Sequence, residues 1–362
     1  MFLRPRPEIE SLETSIHGGL NQAELKAMGL TPEAIIDFSV CSNPFAPPPE
    51  VRKTFDSIDI NRYPDSEVTE FRQSLARKSG VAPDNILAGN GAMELIRIIA
   101  LTYFRPGDSV IIPEPTFGEY KVACQVAGVG VVSQLGREED NFAPGIEETL
   151  ELIRKSHPRA VFICNPNNPT GHYLTRREVE MVLDVCRDGL LILDEAYVAF
   201  VEESWSSLDL IHRGNVVILR SMTKDYSLAG LRLGYAVAHE GIIGALRRVC
   251  PPWNVNVLAQ KAGVIVLEDA DYLERCQREI RKAKEFLITE LGQIGFSPLP
   301  SLANFFLVKV GNAKEFRTAL LRQGLLVRDC TSFGLPRYIR IATRTMPECQ
   351  RLVDAIREIK NE

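Results

Sequence analysis

The sequence predicts an α/β fold: a mostly parallel central sheet flanked by helices, with a smaller α+β domain at the C-terminal end. Three observations carry this. Between about residues 85 and 240, short runs rich in branched apolar side chains alternate with helical patterns. Those runs are apolar at nearly every position, as strands are when both their faces are covered. Beyond about residue 245 the regular alternation gives way to one long helical stretch and then a mixture of strands and helices.

The strands expected in the first region are "NILAG", "SVIIP", "VGVVSQL", "AVFICNP", "LLILDEAY", "VVILRSM" and "RLGYAVAH". Helical patterns such as "GAMELIRIIALTYF" separate them. The long stretch "DADYLERCQREIRKAKEFLITEL" (269–291) then precedes a strand "NFFLVKV", a helix "AKEFRTALLRQG", and strands "LLVRDC" and "YIRIAT". Thr345-Met346-Pro347-Glu348 announces a last helix through a capping box and an early proline. Three parts are expected: an N-terminal arm over 1–45, a large domain over 46–244 and a small domain over 245–362.

Composition narrows the function classes. The 362 residues carry a formal charge of −5 and are 45% hydrophobic, enough for a large core and without the basic footprint of a nucleic-acid binder. No apolar run approaches the length of a membrane span, and "MFLRPRPEIESLE" lacks the apolar centre of a signal peptide. The eight cysteines are scattered with no C-x-x-C pair, which reads as reduced thiols and no zinc site. A cytoplasmic protein that spans no membrane and holds no metal is expected.

The chemistry is concentrated just beyond the strand ends. "AGNGAMEL", "PEPTFGEY", "NPNNPTG", "DEAY" and "SMTK" each come directly after an apolar run, and in open α/β sheets ligands bind beyond the carboxyl ends of the strands. "GNGAME" departs from the dinucleotide fingerprint at Glu94, leaving either a tight turn or an anion cradle of free N–H groups. "NPNNPTG" on its own is a turn. "SMTK" fits the S-x-x-K pattern of penicillin-recognising serine enzymes, but their S-D-N and K-T-G partners are absent. A buried Asp184 or Asp194 would need a cation, and Arg232, within another apolar stretch, an anion. Lysine, aspartate, arginine, asparagine and a phosphate cradle together are what pyridoxal 5′-phosphate requires.

The order "GNGAMEL … PTFGEY … NPNNPTG … DEAY … SMTKDYSLAGLRLGY … YIRIA" resembles the fold-type I pyridoxal-phosphate enzymes of the aminotransferase superfamily, over nearly the whole chain. The resemblance implies that Lys224 is the Schiff-base lysine and that Asp194 pairs with the pyridine nitrogen. It further implies that Tyr197 and Asn168 hold the ring's phenolic oxygen and that Phe117, or else Tyr120, stacks on the ring. Gly91, Ala92, Met93, Ser221 and Arg232 would surround the phosphate, and Tyr63 in "NRYPD" would reach a phosphate from the partner of a homodimer. Substrate contacts would come from His17, Gly18, Gly19, Asn43, Asn168, Arg328, Arg340 and Arg344.

Two branches of the superfamily are similar to the chain. "HGGL" followed by "DFSVCSNPF", with "PPWNVNVLAQKAG" and "VRDCTSF…RYIRIATR", resembles L-threonine-O-3-phosphate decarboxylases. That branch converts L-threonine O-3-phosphate to (R)-1-aminopropan-2-yl phosphate for cobalamin biosynthesis, and this is the expected function. "RYPD", the "GNG" loop and "NPNNPTG" are shared with the alternative, histidinol-phosphate aminotransferase of histidine biosynthesis. Leu20, where the decarboxylases usually have asparagine, departs from the first branch. A non-catalytic, cofactor-binding regulator is the reading from a different class. Lys224 and the other catalytic positions are all filled, which argues against it.

Overall fold

The computed structural model describes residues 3–12 and 14–361. The arm holds one short strand, β1 (Ile36–Asp37). Seven strands follow: β2 (Ile86–Asn90), β3 (Ser109–Glu114), β4 (Gly130–Leu135), β5 (Ala160–Cys164), β6 (Leu190–Asp194), β7 (Val216–Ser221) and β8 (Leu233–Ala238). Farther along come β9 (Phe305–Lys309), β10 (Leu325–Leu326), β11 (Arg328–Asp329) and β12 (Tyr338–Ala342).

Strands β2 to β8 form one sheet in the order β2-β8-β7-β6-β5-β3-β4. β8 runs antiparallel to both its neighbours, and every other pair is parallel. All residues of β5 and β6 are buried, which is why those runs are uniformly apolar. Successive side chains still alternate between faces. Phe162 and Ile192 pack with Ile99, Tyr120 and Leu246 on one side, while Val161, Ile163, Leu191 and Leu193 pack with Leu150, Val179 and Leu183 on the other. β4 departs from the expectation of a strand covered on both faces. It is an edge strand, as β2 is at the other side, and Leu135 at its end is exposed.

The chain turns from β2 straight into the helix Gly91–Tyr103. Gly91 makes the turn at φ +74°, a conformation that costs other residues a Cβ clash. The helix Glu240–Val249 packs Ile242, Ile243 and Leu246 on the large sheet, so the boundary expected at 245 falls inside it.

The C-terminal part is built on a three-stranded antiparallel sheet, β11-β12-β9. The helices Tyr272–Gln293 and Met346–Asn361 cover it, with Leu287, Leu291, Leu352 and Ile356 against Phe306, Val308, Ile339 and Ile341. At the start of the last helix, the Glu348 carboxylate accepts from the Thr345 N–H (3.0 Å) and hydroxyl (2.6 Å). The run "LLVRDC" makes two short strands where one was expected: β10 pairs parallel with β1, and β11 pairs with β12. The β1–β10 pair fastens the arm to this part. Among the described residues no helix is long and apolar enough to cross a membrane.

Candidate active site

The ends of β2, β5, β6 and β7 open on one cavity of about 310 Å³, a size suited to a small ligand. Lys224, Asp194, Tyr197, Asn168, Ser221, Arg232, Ala92, Met93, Phe117 and Tyr120 line it, as do His17, Gly18, Arg328 and Arg340. Gly91 stands just behind the wall: a Cβ there would lie 2.7 Å from the Arg232 guanidinium.

Asp194 is the last residue of β6 and is 4% exposed. Burial raises its carboxyl pKa, partly offset by the Tyr120 hydroxyl (2.7 Å to Oδ2) and the Ala196 N–H (3.0 Å to Oδ1), which favour the charged form. The Tyr120 ring stacks on Phe162 at 4.7 Å, in the core beneath the sheet. That face is spent on Phe162, and Tyr120 serves the site through its hydroxyl, unlike the ring-stacking role expected of it. Phe117 meets Tyr120 edge-on at 5.6 Å and leans toward the His17 ring at 5.8 Å.

Lys224 lies in the one-turn helix Met222–Asp225 that ends β7. Burial lowers its pKa, Arg340 and Arg232 add to this, and its Nζ stands 5.9 Å from the centre of the Tyr197 ring. An amine so placed is more often uncharged than a surface lysine and can attack a carbonyl. Beside it, the Ser221 and Thr223 hydroxyls are 2.7 Å apart, close to Arg232 and the N-terminal turn of the helix Gly91–Tyr103. The helix start, two hydroxyls and an arginine are the parts that an anion cradle needs, the second of the two readings of "GNGAME".

Two arginines stand in the wall contributed by the C-terminal part. Arg340, on β12, donates to Asn168 Oδ1 and to the Ser39 carbonyl (2.7 Å), lies over the Phe305 ring, and keeps a buried Nε without a partner. Arg328, on β11, donates to the Ile16 carbonyl (2.6 Å), the His17 carbonyl (3.2 Å) and the Ser332 hydroxyl (2.6 Å). Of the two, Arg340 is the one whose unpartnered Nε is buried. Arg328 is engaged in holding the arm over the cavity.

Several expected residues sit elsewhere. Asn43 does not reach the cavity. Its amide donates to the Asp225 carbonyl (2.8 Å) and its own N–H to the Lys224 carbonyl (2.7 Å), so it pins the backbone that carries the lysine. Arg344 is turned away, bonded to the Asp37 carbonyl and paired with Glu348. Gly19 lies behind Gly18, its N–H on the Ser39 hydroxyl (2.8 Å). Asp184 is exposed and paired with Arg213, so it needs no buried cation. Tyr63 is outside the cavity of its own chain, 78% exposed and stacked on Trp253 at 4.3 Å. Thr223, Cys41, Cys164 and Phe333 line the cavity without having been singled out. Each lies inside a quoted motif, Thr223 in "SMTK", Cys41 in "DFSVCSNPF", Cys164 in "AVFICNP" and Phe333 in "VRDCTSF".

Comparison with known proteins gives a consistent answer. Residues 33–356 match the family model for aminotransferase class I and II. A histidinol-phosphate aminotransferase from Methanocaldococcus jannaschii is 34% identical over 98% of this chain and 97% of its own length. The crystal structure of a histidinol-phosphate aminotransferase from Sinorhizobium meliloti in complex with pyridoxal-5′-phosphate superimposes with a TM-score of 0.91 at 25% identity, covering 100% of this chain and 98% of that one. An L-threonine-O-3-phosphate decarboxylase from Porphyromonas gingivalis gives a TM-score of 0.78 at 28% identity, covering 89% and 98%.

Proposed function

The chain belongs to the class I and II aminotransferases, and from that premise we propose that it is a pyridoxal-phosphate-dependent transaminase acting on histidinol phosphate in the cytoplasm. One observation carries the reading. A single cavity is lined by a buried lysine, a buried aspartate, an anion cradle and the Arg340 guanidinium. Such a cavity has room and charge for two anionic groups: the cofactor phosphate in the cradle, and a substrate phosphate or carboxylate at Arg340.

The residues present fit the cofactor. A carboxylate whose pKa burial raises is matched by a cationic ring nitrogen, an amine whose pKa burial lowers by an aldehyde, and the cradle by a phosphate. When bound, pyridoxal phosphate supplies the electron sink for charge developing at the substrate's amino carbon. The protein's own groups do the rest. Lys224 holds the cofactor and moves the proton at the amino carbon, Asp194 keeps its negative charge against the ring nitrogen, and Tyr120 orients Asp194. Asn168 and Tyr197 would hold the ring oxygen, Phe117 would cover the ring, and Ser221, Arg232, Ala92 and the Gly91 turn would hold the phosphate. Arg340 grips the anionic end of the amino donor and then of the oxo acid. The assembly is a homodimer, with Tyr63 crossing to the partner's phosphate.

Curated relatives named histidinol-phosphate aminotransferase, 34–36% identical over most of the chain, support the transaminase above the decarboxylase expected from the arm. The second reading keeps one specific support: His17 and Gly18 of the "HGG" segment do line the cavity. The test is a substrate contest on cofactor-loaded protein. Histidinol phosphate with 2-oxoglutarate is expected to yield glutamate, and O-phospho-L-threonine alone no carbon dioxide. Carbon dioxide without any oxo acid overturns the transaminase in favour of the decarboxylase.

A further inference from the structure

Glu119 carries a charge that no step of the proposed reaction calls for. It opens the helix Glu119–Val126 and is 5% exposed, yet it lies behind the cavity wall while its neighbours Gly118 and Tyr120 form part of that wall. A buried carboxylate is costly unless its oxygens are engaged. Both are: Oε1 lies 2.8 Å from His17 Nε2, and Oε2 accepts from Arg97 at 2.9 Å.

His17 is brought to this place by a segment built to dock. The Ile16 and His17 carbonyls take the Arg328 guanidinium, a Cβ at Gly18 would run into the Ser39 carbonyl, and a Cβ at Gly118 would lie 2.7 Å from the Ser15 hydroxyl. The backbone of the segment is thus held from the C-terminal part, and the imidazole from the helix Glu119–Val126. We infer that Glu119 is a positioning residue, which fixes the His17 ring for the distal phosphate of the substrate and so sets the preference for phosphorylated over unphosphorylated amines. Because Glu119 takes Nε2–H, Nδ1 is the ring nitrogen left for the substrate. With a phosphate bound, the imidazole lies between two anions and donates from both nitrogens. Arg97 occupies the second Glu119 oxygen, so that the carboxylate does not repel the incoming anion.

This inference rests on the proposed reading of the site as one for a phosphorylated amine. Its test compares kcat and KM for histidinol phosphate and for histidinol, each with 2-oxoglutarate, in the wild type, Glu119→Gln, His17→Ala and the double variant. The ratio of the two kcat/KM values is expected to fall about tenfold in Glu119→Gln, mainly through KM for the phosphorylated substrate, the size of one lost charge-assisted hydrogen bond. Adding Glu119→Gln to His17→Ala is expected to cost less than about twofold more, because both act through one ring. An equal loss on both substrates, or additive losses in the double variant, overturns the inference and makes Glu119 merely structural. If Glu119→Gln fails to fold, the ratio in His17→Ala decides: the side chain is half exposed, and an unchanged ratio overturns the inference. A wild type that turns over neither amine defeats the proposed transaminase instead. If it decarboxylates O-phosphothreonine, the same ratio is read with phosphothreonine against threonine. A wild type that prefers the phosphorylated amine, with that preference intact in Glu119→Gln, defeats the inference alone.

Discussion

Lys224 is held where water is scarce, so its amine gives up part of its affinity for protons in exchange for reactivity. Replacing it by alanine is expected to lower turnover about 10²–10⁴-fold or more, the worth of a positioned proton carrier. Calorimetry should show no fall in melting temperature, since an amine buried at a cost has been removed. A variant that loses its fold together with its activity would assign Lys224 a structural role. Tyr120→Phe probes the group behind Asp194. The phenol donates to a buried carboxylate, and such a bond is worth about 1.5–3 kcal/mol. Its loss lets burial push the Asp194 carboxyl further up, toward the neutral form that pairs poorly with a ring cation. A tenfold or larger drop in kcat with the cofactor still bound is expected, and an unchanged kcat would remove Tyr120 from the site. Asp194 and Lys224 were legible in the sequence because each ends an apolar run, where a charge must be either a surface group or a working one. Asn43 and Arg344 were not: the Asp225 and Asp37 carbonyls that hold them are brought near by tertiary contacts that residue type alone does not reveal.

The turn after β7 shows how an element presents a residue. Asn43 pins its backbone, and the Asp225 side chain folds back to accept from the Tyr226 N–H at 2.9 Å. Burial pushes the Asp225 carboxyl from 3.8 up to about 7, in spite of Arg220 and Lys78 nearby. The folded state therefore binds more protons than the unfolded chain between these values, so this group's contribution to stability declines as pH rises from about 4 to 7. Asparagine keeps the hydrogen bonds and cannot ionise. The melting temperature of Asp225→Asn relative to wild type is thus expected to climb across that window and to level off above about pH 8; a difference that is flat from pH 4 to 8 contradicts the assignment. Elements of this size were legible where periodicity was strong. The seven strands of the large sheet were found because short apolar runs bounded by turn formers leave few alternatives. The two-residue strands β1 and β10 are too short to have a period. The helix Val257–Glu268 was passed over because its apolar residues surround the axis instead of forming a stripe.

A single copy of the chain leaves an aromatic pair in water that neither its own core nor its own cavity uses. Tyr63 and Trp253 stack on each other while 78% and 45% exposed, and Trp253 adopts φ +54°, an unusual conformation for a bulky residue. Nearby in sequence, Ile60 is also exposed. In the proposed two-fold dimer a second copy would cover these side chains and each subunit would complete the other's site. The consequence is quantitative. Lys224→Ala and Tyr63→Ala homodimers each lack a group at both sites. Mixed, unfolded and refolded together, they assort so that half of the dimers are heterodimers, each with one site that has both Lys224 and a Tyr63 donated by its partner. Recovery of about a quarter of wild-type activity is the expected result under random assortment of a two-fold dimer. If Tyr63 acted within its own chain, every site in the mixture would lack one of the two groups, and activity would not exceed the sum of the parents. The resemblance indicated Tyr63 through "RYPD", and complementation reads whether it serves its own chain or a partner.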